Sequence, residues 1–320
     1  MHKLLQIMIL IGVFVGSFAA VPDAVAAEQA HGQKAVLVTG ASTGIGRKIA
    51  EVLAEKGYFV YAGARKDKDL AELNAIDNVE AIRLDVTVQE DIDAAVVHIT
   101  EAGRGLHGVV NNAGVAVFTP MNETPEKDID FVFDVNVYGP YRINKAFAPL
   151  LIANKGRTTI IGSISGFISG ARSGTYSMSK FAVEAYTDAL AEEMAEAGVH
   201  VSVIEPGGFK SEIREKVVLH AMGRTPDTVS DLTAEEKARL ERAREYNTAL
   251  KEPDEVAEAT LHALFADKPR PRYMVAPNQE EAKETIRTVL TRVAQLNADQ
   301  PYSYSLEELT KMLEEAMAAQ

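Results

Sequence analysis

The chain has 320 residues, 47% hydrophobic and 25% charged, with a formal net charge of −13 and no cysteine. That length allows one large domain or two small ones, and the composition is ordinary for a globular protein. The acidic balance argues against nucleic acid as a partner, which would need clustered Lys and Arg, and the missing cysteines exclude disulfides, thiolate metal sites and a cysteine nucleophile.

Residues 1–26 stand apart. A short cationic start (MHK), an apolar run (LLQIMILIGVFV) and the small residues of AVA at 24–26 form the three-part layout of a secretory signal. The expectation is a cleaved signal and an exported, periplasmic or secreted protein. The alternative is an anchor over residues 4–21, long enough for a short membrane span. On either reading, Lys3 before the run and Asp23 and Glu28 after it favour a translocated domain. The membrane is then a partner only through this segment.

From Lys34 onward, short apolar runs alternate with longer amphipathic ones. AVLVTG, YFVYAGA, EAIRLDV, LHGVVNNAG, RTTIIGS and VHVSVIEPG predict strands, separated by helical stretches such as RKIAEVLAEKG and KFAVEAYTDALAEEMAEAG. Strands apolar throughout are buried on both faces, so the alternation predicts an α/β fold, a parallel sheet with helices on both sides. One domain is expected over 27–275. Within it, 209–250 is a charged helical insertion suited to a substrate lid, with Thr233 and Glu236 as a capping box. PRPRYMVAPN offers a last strand, and 276–320 is a helical tail with Ser305 and Glu308 as a second capping box.

AVLVTGASTGIG puts Gly40, Gly44 and Gly46 between the first strand and the first helix, with Ser42, Thr43 and Ile45 among them. Such a turn lets backbone N–H groups approach a pyrophosphate at the positive end of a helix. The same loop spells GASTG, a match to the nucleophile elbow of a serine hydrolase around Ser42, with His262 or His220 as the base. The third glycine and the first-strand position have no place in that reading. The second strand ends in YAGARK: Ala64 occupies the position of a ribose-binding acid and Arg65 follows, a combination that accommodates a 2′-phosphate and favours NADP(H) over NAD(H). The seven histidines are scattered and no H-E-x-x-H occurs, so no metal site is expected.

Two Tyr–Lys pairs have the four-residue spacing that brings side chains together on a helix, Tyr141 with Lys145 and Tyr176 with Lys180. With TGASTGIG at 39–46, Asp85 in RLDV, NNAG at 111–114, Asn136 in DVNV, Ser163 in IIGS, YSMSK at 176–180 and IEPGGFKS at 204–211, residues 34–275 resemble the short-chain dehydrogenase/reductase family. Members of that family place the active serine thirteen residues before the tyrosine. Counting back from Tyr176 lands on Ser163, and from Tyr141 on Asp128, so Tyr141 is assigned to helix packing.

The resemblance implies a Rossmann-type doubly wound sheet and an NADP(H)-dependent oxidoreductase, with NAD(H) possible, interconverting an alcohol and a ketone or aldehyde on a hydrophobic small molecule. It implies that Tyr176 exchanges the proton, that Lys180 favours the phenolate and bonds the nicotinamide ribose, that Ser163 holds the substrate oxygen, and that Asn136 positions a water relaying protons to Lys180. It extends the cofactor contacts to Asp85, Val86, Asn112, Ala113, Gly114, Pro206, Gly207 and Phe209. Two positions depart from the family pattern: Thr43 stands where many NADP-preferring relatives carry a base, and Ile160 where an asparagine is usual. The look is closest to the retinol, hydroxysteroid and 3-hydroxybutyrate dehydrogenase branch, with substrate contacts expected from 115–118, 167–171 and 208–250. The resemblance also implies a homodimer or homotetramer through helices near 127–153 and 179–197. The competing reading keeps the nucleotide site but makes the protein a redox sensor for a partner.

Overall fold

A computed structural model describes residues 32–319. The expected leader at 1–26 lies outside the described residues. Among those described, no helix is long and apolar enough to cross a membrane.

Seven strands form one parallel sheet: β1 (Ala35–Val38), β2 (Phe59–Ala64), β3 (Val79–Arg83), β4 (Gly108–Asn111), β5 (Arg157–Ile161), β6 (His200–Pro206) and β7 (Arg272–Val275). Their order across the sheet is β3-β2-β1-β4-β5-β6-β7. The chain therefore winds outward from β1 in one direction and then, from β4, in the other. Val36 pairs with both Val60 and Gly108, so the direction reverses between β1 and β4. In such sheets the crevice beyond the strand C-termini at the reversal is where ligands bind.

Strand β1 is apolar throughout because both of its faces are covered. Along β1, Val36 and Val38 belong to a core shared with Ile49, Leu53, Val256 and Leu264, while Ala35 and Leu37 belong to one shared with Ile92, Ile143 and Phe147. Successive strand residues point to opposite faces, so one four-residue strand feeds two cores. Helices α1 (Gly44–Glu55), α2 (Asp67–Leu73), α3 (Gln89–Glu101), α4 (Glu126–Phe133), α5 (Gly139–Ala153) and α6 (Gly174–Ala195) alternate with the strands. Between α4 and α5 the backbone widens into a π-helical turn at Asp134–Tyr138.

The expected lid is a small helical unit. Helix α7 (Ile213–Ala221), a 3-10 turn (Pro226–Asp231) and α8 (Ala234–Thr248) enclose their own cluster of Leu219, Leu232 and Leu240. Helix α9 (Asp254–Phe265) returns the chain to the sheet, and α10 (Gln279–Asn297) and α11 (Leu306–Ala318) form the tail. Both capping boxes read from the sequence are present, Thr233 with Glu236 and Ser305 with Glu308.

Candidate active site

The C-terminal ends of the strands open into a cavity of about 400 Å³. Its floor at one end is the glycine loop. Gly40 has φ +63, and a Cβ there would come within 2.9 Å of the Ala113 backbone. Gly46 is pressed equally hard against Asn112 and the Gly40 carbonyl. Asn112 ties this junction together, its Nδ2 donating to the Thr39 and Gly40 carbonyls at 3.0 Å each. Helix α1 begins here, and its cap residue Thr43 makes no side-chain cap bond. The first-turn N–H groups of a helix have no intrahelical partners. In α8 and α11 the capping boxes satisfy some of them, whereas those of α1 face the cavity. That is a cradle for an anion at the positive end of a helix dipole.

Beside it, Arg65 at the end of β2 lies 3.4 Å from Asp85. Burial pulls the Asp85 carboxyl up, but bonds from the Thr87 N–H and Oγ1 at 3.0 and 2.7 Å, with the Arg65 charge, hold it below its ordinary value. Lys216 reaches from α7 to donate to Thr43 Oγ1 at 3.3 Å, and Lys66 meets Asp227 of the lid at 2.5 Å. Lys216 thus stands beside position 43, paired with Glu212 at 3.2 Å.

At the other end Ser163, Tyr176 and Lys180 share the cavity wall. Ser163 caps a 3-10 turn over Ile164–Gly166: its Oγ accepts from the Ser165 N–H at 3.1 Å and donates to the Pro206 carbonyl at 3.3 Å. Ser165 also lines the cavity but lacks those anchors, so the hydroxyl held in place is that of Ser163. The α6 spacing sets the Lys180 ammonium 5.6 Å from the centre of the Tyr176 ring, and Lys180 Nζ donates to the Ile161 carbonyl at 2.8 Å. Phe118 meets the Tyr176 ring edge-on at 6.0 Å.

Burial raises the Tyr176 phenol above its ordinary value, against a lowering hydrogen bond from Ser163. The chain alone therefore does not deliver the depressed phenol that the resemblance implies. Burial also brings the Lys180 ammonium down to about 8, against the upward pull of Glu184.

Of the residues singled out in the sequence, Gly40, Ser42, Thr43, Gly44, Ile45, Arg65, Asp85, Val86, Asn112, Ala113, Gly114, Ser163, Tyr176, Lys180, Pro206, Gly207 and Phe209 line this one cavity. Two do not. Gly46 lies beneath the loop, where only a residue without a side chain fits. Asn136 is buried in the π turn: its Oδ1 accepts from the Val115 N–H at 2.8 Å, and its Nδ2 donates to the Val115 carbonyl and to Ser179 Oγ. Both amide protons are engaged by protein atoms, so the side chain steadies the 115 loop against α6 rather than donating to a water. Within 115–118 only Val115 and Phe118 reach the wall, Ala116 and Val117 being buried. None of 167–171 lines the cavity; Phe167 instead lies under the Arg272 guanidinium.

The hydrolase reading fails on geometry. Among the described residues no histidine lines the cavity around Ser42; His262 bonds Tyr273 Oη at 2.8 Å and His220 bonds Asp128 at 3.0 Å. Sequence reasoning missed Glu281. It belongs to the tail, yet its Oε1 accepts from the Gly208 N–H at 2.7 Å and its side chain lines the cavity. Asn278, which caps α10 three residues earlier, was the only local hint that a helix begins there.

Comparison with known proteins agrees with this geometry. The chain is 38% identical over 188 residues to bovine (Bos taurus) mitochondrial D-beta-hydroxybutyrate dehydrogenase, covering 56% of this chain and about half (55%) of that protein. It is 33% identical to the NADPH-dependent 3-dehydrocapnine reductase of Ornithobacterium rhinotracheale, over 86% of this chain and 98% of the relative. Among solved structures, an alcohol dehydrogenase from the archaeon Thermococcus sibiricus, complexed with 5-hydroxy-NADP, superposes with a TM-score of 0.61 at 26% identity, over 76% of this chain and 96% of that one. Residues 34–221 match the short chain dehydrogenase family, and with more than half of its length so matched, the chain belongs to that family.

Proposed function

We propose that the protein is an NADP(H)-dependent oxidoreductase that interconverts an alcohol and a ketone or aldehyde on a hydrophobic small molecule. The observation that carries this reading is the single cavity joining an uncapped helix N-terminus at one end to Ser163, Tyr176 and Lys180 at the other. A nicotinamide nucleotide bound there supplies or accepts the hydride. The residues at 40–46, 112–114 and 206–209 would hold it.

The chain's own part is proton handling and orientation. Ser163, held by the Ser165 N–H, turns its hydroxyl proton from the Pro206 carbonyl to the substrate oxygen and stabilises negative charge that develops there. Tyr176 gives its proton to that oxygen in reduction and recovers it in oxidation. Its raised pKa keeps the phenol protonated in the free enzyme, which suits a general acid. Lys180, its ammonium close to the ring, stabilises the phenolate left after the proton has gone.

Preference for NADP(H) is supported by Arg65 and Lys216, two cations on the cavity wall, and by a relative named as NADPH-dependent. The substrate end is supported as apolar by Val115 and Phe118. Exposed Phe131, Tyr138, Tyr141 and Ile152 on α4, the π turn and α5 support a homodimer or homotetramer, which light scattering on the eluting protein tests. The leader-like residues 1–26 support export, which cell fractionation tests.

The deciding experiment follows NADPH and NADH absorbance with residues 27–320 against hydrophobic ketones, retinal-type aldehydes and acetoacetate, wild type beside Tyr176→Phe. Turnover lost in the variant with NADPH binding retained supports the reading; tight nucleotide binding without turnover on any substrate favours the sensor alternative. Arg65→Ala and Lys216→Met should each weaken NADPH by roughly tenfold, as loss of one charge-assisted contact implies, and leave NADH unchanged.

A further inference from the structure

Behind the Ser163 turn lies a buried cluster of charge that no proposed step uses. Glu184, one turn beyond Lys180 on α6, and Glu205, the residue before Pro206 on β6, are 7% and 2% exposed. Both accept from the same guanidinium nitrogen, Nη1 of Arg272 on β7, at 3.2 Å in the case of Glu205, while Nη2 of Arg272 pairs with Asp188. Sharing that one nitrogen sets the two carboxyl groups side by side. The charged groups facing them are Arg272 from β7 and Asp188 and Lys180 from α6. Both buried carboxylates bond this one guanidinium, while Lys180 donates instead to the Ile161 carbonyl and Asp188 is exposed to solvent, so the contacts compensate one of the two buried negative charges. Glu184 Oε1, moreover, is buried with no donor. Two buried carboxylates on one guanidinium nitrogen cannot both ionise cheaply, and one proton between them supplies a donor and leaves a single charge for Arg272 to balance.

The cluster underlies two groups of the candidate active site, Ser163 and Lys180. The Glu184 carboxyl presses on Gly162 and Gly166, so that a Cβ at Gly162 would come within 3.0 Å of Oε1 and one at Gly166 within 2.8 Å. These glycines flank Ser163. Glu205 precedes the carbonyl that receives the Ser163 hydroxyl, and the Glu184 charge acts on Lys180.

We propose that Glu184 and Glu205 share a single proton and, as a singly charged pair, form the positioning floor on which the Ser163 turn and the Lys180 ammonium rest. Loss of that proton puts a second charge beneath Gly162 and Gly166 and loosens the turn. The direction of titration is set by burial, which raises both carboxyls and brings Glu205 up to about 8. Because the folded state binds this proton more tightly than the unfolded chain, the stability it confers is complete below the ordinary carboxylate range and is lost as pH rises through about 8.

The test uses the full chain and two readouts that need neither substrate nor cofactor: the infrared carbonyl stretch of neutral carboxylic acid, and amide exchange over 163–167 normalised to the intrinsic rate at each pH. In wild type a neutral-carboxyl band should vanish with a midpoint near 8, and protection of 163–167 should fall several-fold with it. Glu205→Gln, which imitates the protonated partner, should lack the band and keep its protection at high pH. Glu184→Gln repeats the test should Glu205→Gln fail to fold. Absence of the band in wild type, or its survival in both variants, overturns the shared proton; protection that falls equally in wild type and variant overturns the positioning role. The inference concerns the site proposed above for the reductase. A third readout, loss of an alkaline step from the kcat profile without a change in KM, depends on that activity, so failure of the reductase reading leaves the first two readouts standing.

Discussion

Helices α5 and α6 each carry a tyrosine and a lysine one turn apart, and in both the ammonium stands 5.6 Å from the ring centre. By pair geometry they are identical. Tyr141 is exposed on α5, and its lysine adds a surface contact of the size expected for such pairs in water, a few tenths of a kcal/mol. Tyr176 faces a cavity, against Phe118 and Ser163, and its lysine is 6% exposed and held by a backbone carbonyl. Chemistry in this fold therefore comes from surroundings and not from the pair: desolvation makes the same ammonium, at the same distance, matter far more.

The largest effect that would break this contrast is on turnover. Tyr176→Phe should reduce kcat by about a hundredfold or more, as removal of a general acid does, whereas Tyr141→Phe should leave it within about twofold. Equal losses would mean that the α5 pair has a role the cavity does not reveal. The next effect is on stability. Burial lowers Lys180 from 10.5 to about 8, so between those values the unfolded chain binds the proton and the folded one does not. Stability should rise with pH across that window, by at most about 3 kcal/mol. Urea titrations at the two ends should show the rise in wild type and Lys145→Met and its absence in Lys180→Met.

A smaller change should make the buried pair resemble the exposed one. Phe118→Ala removes the edge-on ring and admits water beside Tyr176. Since burial is what raises this phenol, its ionisation should move to lower pH, read as a shift in one limb of the kcat/KM profile. Smallest of all, Lys145→Ala should change unfolding free energy by no more than about 0.5 kcal/mol, the range for surface substitutions.

Much of this contrast is legible in the sequence. The run AVLV is apolar at every position because both sheet faces are covered, and that pattern is local. Capping boxes at Thr233 and Ser305 are likewise local, and so is the interval from Ser163 to Tyr176. The read strands overrun the real ones, since the ends of RTTIIGS and LHGVVNNAG leave the sheet and become cavity wall. Contacts closed through space were not legible. Glu281 reaches Gly208 across 73 residues, Lys216 reaches Thr43 across 173, and Arg272 reaches Glu184 across 88. No periodicity encodes such pairings, because each depends on where the lid, the tail or the last strand comes to rest. Arg65 was legible as a cation but its partner was not, although Asp85 had been noted separately.

The wide turn at Asp134–Tyr138 carries one more residue than a regular helix would hold over the same rise. Its presence rotates everything after it by roughly the 100° of one helical step, relative to the face that an unbroken helix would present. Deleting a single residue there would give α4 and α5 a continuous, better-bonded helix and at the same time turn the Asn136 amide away from Val115 and Ser179. The shorter protein would have the more regular backbone and the less ordered pocket rim. In this stretch, irregularity is itself an instruction, one that a search for ideal helices would correct out of existence.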